Sequence, residues 1–207
     1  MSSLNPNLKA IVAAISLTVT PCLASFIGVE GARAQGAAAP SVVAPVNLSA
    51  LSEAELLARL KDADPNDARA VDRELQALWS KSGSPSMDLL LRRGRDAMER
   101  GEWQVAIEHL TALTDHAPDF AEGWSERARA FFYADLFGPA VADLEHALAL
   151  NPNDYNAIFA LGQVFEYFRD PTHAYAAYER AKAIHPNHEE VTKALDRLSV
   201  EVGGQSL

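Results

Sequence analysis

The sequence predicts an all-α stack of antiparallel helix pairs, with a helical hairpin before the stack and a single capping helix after it. Three observations predict this. Residues of matching type recur every 34 positions between Met87 and His188. Within each copy, apolar residues fall at helical spacing in two runs. Each copy closes on a proline, Pro118, Pro152 or Pro186, followed by Asp119, Asn153 or Asn187. A fixed period of this size marks units that bury their apolar faces against their neighbours.

The columns explain the elements in turn. Gly94, Ala128 and Gly162 are small where one helix must approach its partner. Ala106, Ala140 and Ala174 recur on the second helices, and Leu110, Leu144 and Tyr178 supply the bulk opposite. Gly101, and Asp170 before Pro171, fall between the two helices of their copies, and proline is tolerated in a first helical turn. The closing prolines stop each second helix, because the residue before proline disfavours helical angles. The predicted helices are 87–99 and 103–116, 121–134 and 137–150, and 155–168 and 171–184, giving repeats 87–120, 121–154 and 155–188.

These columns resemble the tetratricopeptide repeat (TPR): a large apolar residue (Leu90, Trp124, Ile158), Leu-Gly, an aromatic, alanine, a further large residue, alanine and proline. The third copy keeps Leu161-Gly162; the first two place Arg93 and Arg127 at the leucine, and the second has Ala128 at the glycine. A second resemblance, to exported bacterial TPR proteins, rests on residues 77–85 (ALWSKSGSP) upstream of the repeats. The resemblance implies a solenoid whose first helices line a concave face.

The flanks follow from capping and amphipathicity. Ser52 and Glu55 form a capping box opening a helix to about Lys61, and Asn66 or Asp67 opens another that Gly83 and Pro85 end. This hairpin, within 49–85, does not match the repeat columns and is expected to cap the N-terminal end of the array. Residues 189–202 place Val191, Leu195 and Leu198 on one face, as a helix covering the last exposed repeat would. The tail 203–207 (GGQSL) is expected to be loose.

Residues 1–34 have the layout of a signal peptide: Lys9, the uncharged run Ala10 to Thr20, and Ala32-Arg33-Ala34 before Gln35. Cleavage after Ala34 would leave a net charge of −11 and no cysteine. The expected location is then periplasmic or secreted. Lipidation at Cys22 is the first alternative, disfavoured by Pro21 beside it; an uncleaved anchor is the second. Residues 35–48, small and proline-containing, read as a flexible linker.

With 48% apolar and 22% charged residues the composition is that of a globular protein, and its net charge of −10 repels nucleic acid and anionic lipid. Neither nucleic acid nor membrane insertion after cleavage is expected. His185 and His188, with Glu189 and Glu190, are the nearest approach to a metal motif, but they straddle Pro186 in a turn where no helix fixes them. No Gly-x-Ser-x-Gly, phosphate-binding loop or His-Glu-x-x-His motif occurs, so no enzyme activity, metal or cofactor is expected.

The expected function is a non-catalytic adaptor that binds a protein or peptide segment. The alternatives are a structural spacer of an envelope assembly using its convex face or termini, and a small-ligand binder. By the TPR resemblance the groove residues are Arg92, Arg95, Met98, Arg129, Phe132, Tyr133, Phe159, Gln163 and Tyr167. A chaperone-type carboxylate clamp is not expected, because Leu91, Glu126 and Ala160 stand at its positions. The arginines and aromatics suit an acidic, hydrophobic peptide. The competing reading pairs the arginines with Asp88, Glu99, Glu122 and Glu126. If the pairs are exposed, glutamate at positions 95 and 129 should abolish capture and leave the fold intact.

Overall fold

A computed structural model describes residues 47–204, and side chains to Val202. The expected signal peptide, nearly all of the expected linker and the last residues of the expected tail lie outside the described residues. Leu48, expected in the linker, instead opens a short 3-10 turn, Leu48–Ala50.

Nine α-helices follow among the described residues. The hairpin is α1 (Glu53–Asp62) and α2 (Pro65–Trp79). The repeats are α3 (Pro85–Glu99) with α4 (Trp103–His116), α5 (Ala121–Tyr133) with α6 (Phe137–Leu150), and α7 (Tyr155–Tyr167) with α8 (Pro171–Ile184). The last helix is α9 (Glu189–Gly204), which includes Gly203 and Gly204, expected in the loose tail.

The predicted helix boundaries of the repeats hold to within two residues. Where they moved, capping explains it. Asp64, not Asn66 or Asp67, caps α2: its Oδ1 accepts from Asn66 N at 2.8 Å and Asp67 N at 3.1 Å, with Pro65 in the first turn. Pro85 does not end α2, which stops at Trp79; it opens α3. The Ser52–Glu55 capping box is present. Within each repeat the turn uses one left-handed residue in the same column: Gly101 (φ 72°), Asp135 (φ 59°) and Arg169 (φ 60°).

Packing follows the small-residue column. A β-carbon on Gly94 would stand 2.6 Å from Leu110 Cγ, and one on Gly162 would overlap the Tyr178 ring. Tyr178 is fully buried and its hydroxyl donates to Glu166 Oε1 at 2.5 Å, so the ring cannot retreat. Arg127, at the usual leucine position, is satisfied across the pair. Its guanidinium meets both oxygens of buried Asp143 at 2.6 and 2.8 Å and donates to Thr114 Oγ1 at 2.7 Å. At the C-terminal end, α9 buries Val191, Ala194 and Leu198, and Arg197 pairs with Glu166.

The hairpin does not sit where a cap on the first repeat would. It lies along the turns that join successive repeats and reaches the third. Tyr155, fully buried at the start of α7, donates its hydroxyl to Asp72 and accepts from Gln76 Nε2 at 3.0 Å. The Trp79 ring packs on Tyr155 with centroids 5.5 Å apart. Asn187 Nδ2 donates to the carbonyl of Ala63 at 2.8 Å. The N-terminal part of α2 therefore faces the turn after α8, while Trp79 faces Phe120 and Pro152 of the earlier turns.

Gly162→Ala should destabilise the protein by about 1–3 kcal/mol, the cost of overpacking a site whose neighbour is pinned. The equivalent position already holds Ala128 facing Leu144, so Ala128→Gly should cost about 1 kcal/mol, chiefly from helix propensity. Urea midpoints of the two variants check the ranking.

Candidate functional site

The first helices of the second and third repeats, α5 and α7, stand side by side and leave a cavity of about 330 Å³ between them. Its walls carry Arg129, Phe132, Tyr133, Phe159 and Gln163, five of the nine residues expected in the groove. Gln76 of α2 also lines it, so the hairpin contributes to the wall.

The other four lie elsewhere. Met98 is buried in the core with Leu91, Ala97 and Leu110, because it follows Leu91 by two helical turns and shares its inward face. Arg92 is exposed beside Asp88, whose carboxylate is occupied by Ser82 N at 2.8 Å and Ser82 Oγ at 2.6 Å. Tyr167 is exposed and lies in a row of aromatic rings described below. Arg95 does not line the cavity; it pairs with Glu122 and Glu126, which do.

Arg95 bridges two helices. Its guanidinium contacts Glu122, meets Glu126 Oε1 at 2.6 Å and donates to Ser80 Oγ at 2.9 Å. Arg129 Nη2 lies 2.6 Å from Glu126 Oε2. For Arg95 and Arg129 the competing reading is therefore the observed one, through Glu122 and Glu126 rather than Asp88 or Glu99, with a difference that matters: Glu122 and Glu126 are 7% and 6% exposed. These pairs are not surface pairs. Removing one partner of such a pair strands a buried charge and costs about 3–5 kcal/mol. Glutamate at position 95 would disrupt the α3–α5 junction, so the expectation of an intact fold is corrected.

The cavity floor is acidic. Asp154, 3% exposed, caps α7 by accepting from Asn156 N and Ala157 N, each at 3.0 Å. Burial raises its carboxyl above the ordinary range despite these bonds. Burial, with Glu126 and Asp154 adding repulsion, pushes the Glu122 carboxyl up to about 8 against the pull of Arg95 and Arg129.

A row of aromatic rings continues from Phe132 and Tyr133 of the cavity wall along the turns within repeats. Tyr133 stacks on Trp103 at 4.9 Å, and Tyr167 stacks on Phe137 at 3.8 Å, the same contact one repeat later. Phe132 joins the two stacks edge-on to Tyr133 and Phe137, and Phe168 packs edge-on to Phe137 at 5.8 Å. Tyr133, Leu136, Tyr167 and Phe168 are about half exposed. Trp103, Leu136, Phe137 and Phe168 were not expected here. The 34-residue offsets from Trp103 to Phe137 and from Tyr133 to Tyr167 are the signal that finds the row.

His185 and His188 lie at the hairpin contact, with ring centroids 5.3 Å apart and each edge-on to Tyr155. Burial lowers both imidazoles. Among the described residues no group of three His, Cys, Asp or Glu side chains is placed to hold a metal ion. No described helix is long and apolar enough to cross a membrane.

No family model matches the chain. A TPR repeat-containing protein of Rhizobium etli is 25% identical over 151 residues, 72% of this chain and 74% of that protein. Other relatives are far longer: the chain aligns with human Superkiller complex protein 3 at 29% identity but spans 8% of its length. Among solved structures, the first TPR of Spaghetti (RPAP3) bound to HSP90 peptide SRMEEVD superposes with a TM-score of 0.54 at 26% identity, over 56% of this chain and 93% of that one. The Sgt2 TPR domain of Aspergillus fumigatus gives 0.56 at 26% identity, over 59% and 83%. The chain is a TPR protein. Its three TPR copies form the all-α solenoid that the repeat columns predict, and the cavity lies between first helices of two of them.

The raised Glu122 carboxyl links this site to stability. The unfolded chain releases the proton near 4.5 and the folded chain near 8. Between these values the folded state holds the extra proton, so stability falls as pH rises, by at most about 1.4 kcal/mol per unit for one proton. Glu122→Gln should flatten this slope between pH 5 and 8, seen as a smaller fall in Tm than in the unmodified protein. The two lowered histidines act in the opposite direction in both proteins, so the difference between the curves isolates Glu122. Equal slopes would mean that Glu122 is ionised at neutral pH.

Proposed function

We propose that this TPR protein is a non-catalytic adaptor that holds a segment of another protein in the cavity between α5 and α7, and that it works outside the cytoplasm after cleavage behind Ala34. The observation supporting the first part is the cavity itself: it lies between two first helices, mixes Phe132 and Phe159 with charged and amide groups, and takes Gln76 of α2 into its lining. Aromatic anchors beside polar groups are what segment recognition uses. The RPAP3 repeat, similar over 56% of this chain, holds an HSP90 peptide. Export rests on the apolar run before Pro21 and on Ala32-Arg33-Ala34.

A second reading has its own observation. The exposed aromatic row at Tyr133, Leu136, Tyr167 and Phe168 would suit a spacer or assembly subunit that contacts its neighbours by an edge.

Photo-crosslinking separates the two. A photoreactive phenylalanine is placed in turn at Gln163 in the cavity, Phe168 in the row and Glu179 on an exposed second helix. The adaptor reading predicts a discrete crosslinked protein from Gln163 and none from Glu179. Crosslinks from Phe168 with none from Gln163 would replace it with the spacer reading. N-terminal sequencing of the same material should begin at Gln35; a chain beginning at Met1 in the cytoplasm would overturn the export proposal.

A further inference from the structure

We infer that the segment held in the cavity presents a basic side chain, lysine or arginine, flanked by an apolar residue. This rests on the adaptor reading and reverses the sequence expectation of an acidic peptide. The arginines that suggested an acidic ligand are committed: Arg95 to Glu122, Glu126 and Ser80, Arg129 to Glu126. What faces the cavity is the acidic side of the network.

Three buried carboxylates, Glu122, Glu126 and Asp154, line the cavity, and two guanidiniums pair with the first two of them. Asp154 has hydrogen bonds but no salt bridge among the described residues. Glu126 Oε2 is buried, and its partner is Arg129 Nη2, 2.6 Å away in an ion pair. Arg129 itself is 49% exposed. Counted as carboxylates, the three acids exceed the two guanidiniums by one, so the lining has room for one more cation. An ammonium or guanidinium group of a ligand supplies it.

The walls fit the rest of such a side chain. Phe132 and Phe159 are partly buried and give the wall apolar surface for an aliphatic stem. Gln76, Asn156 and Gln163 add amide oxygens that accept from N–H groups. A ligand carboxylate would meet like charges in a site of low dielectric.

The raised Glu122 carboxyl agrees with this geometry, since at neutral pH a proton stands where the ligand's cation would act. Glu122 is faced by Arg95 from α3, Glu126 and Arg129 from α5 and Asp154 from the α6–α7 turn, with Glu53 and Lys81 across the neighbouring cleft. A bound cation favours its ionised form, so affinity should rise with pH up to about 8.

The test is selection of a displayed random dodecapeptide library on the full chain, followed by titration of the selected peptides. The inference predicts enrichment of lysine or arginine beside apolar residues. Replacing that residue by norleucine should weaken binding at least tenfold. Asp154→Asn, which keeps the helix cap, should do the same, while Glu179→Gln on an exposed second helix should change nothing. Affinity should rise between pH 6.5 and 8.5. Enrichment of acidic or uncharged peptides would overturn the inference and keep the adaptor reading. Basic peptides equally indifferent to Asp154→Asn would mean adhesion to an acidic surface and would also overturn it. Failure to select any peptide would remove the adaptor reading and the inference together.

Discussion

The hydroxyl of Tyr155 joins two parts of the chain that local folding would leave separate. It sits at the first position of α7, fully buried, between Asp72 and Gln76 of a hairpin some eighty positions earlier. Burial and the Asp72 hydrogen bond hold the phenol firmly in its neutral form, so it is a donor to Asp72 and an acceptor from Gln76. The long-range placement of α2 depends on this junction, with the Trp79 ring and the Asn187–Ala63 bond on either side of it. With α2 in place, Gln76 walls the cavity and Ser80 reaches Arg95.

Arg95 carries the constraint from the hairpin into the repeats. One guanidinium satisfies two glutamates on α5 and the residue just after α2, so the first repeat, the second repeat and the hairpin share a single charged junction. A buried network of this kind is costly to break and contributes little net stability when intact. Its consequence is one of sign: Arg95 is committed to Glu122 and Glu126 and does not line the cavity, while those two carboxylates and Asp154 do.

The repeat was legible because each copy must satisfy the same close approach. Gly94, Ala128 and Gly162, their bulky partners and the closing prolines are local demands, and a period of 34 displays them together. The hairpin helices were legible from capping and amphipathicity, but their seat was not, because the contacts that decide it join Asp72 to Tyr155 and Ala63 to Asn187. Met98 was readable as core from its seven-residue offset to Leu91. The burial of Glu122 and Glu126 was not readable, since glutamate on a first helix looks like a solvated face until the neighbouring helix and its arginine are in place.

The account stands on the hairpin being a built part of the binding face. Hydrogen exchange on the full chain and on Tyr155→Phe tests this directly. Removing one hydroxyl leaves the ring packing and takes away both hydrogen bonds to α2, each worth about 1 kcal/mol or more when a partner is charged. The amides of α2 should then exchange roughly tenfold faster or more, while those of α4 to α6 keep their protection. An α2 that exchanges freely in the unmodified protein, or that is equally protected in Tyr155→Phe, would contradict the account.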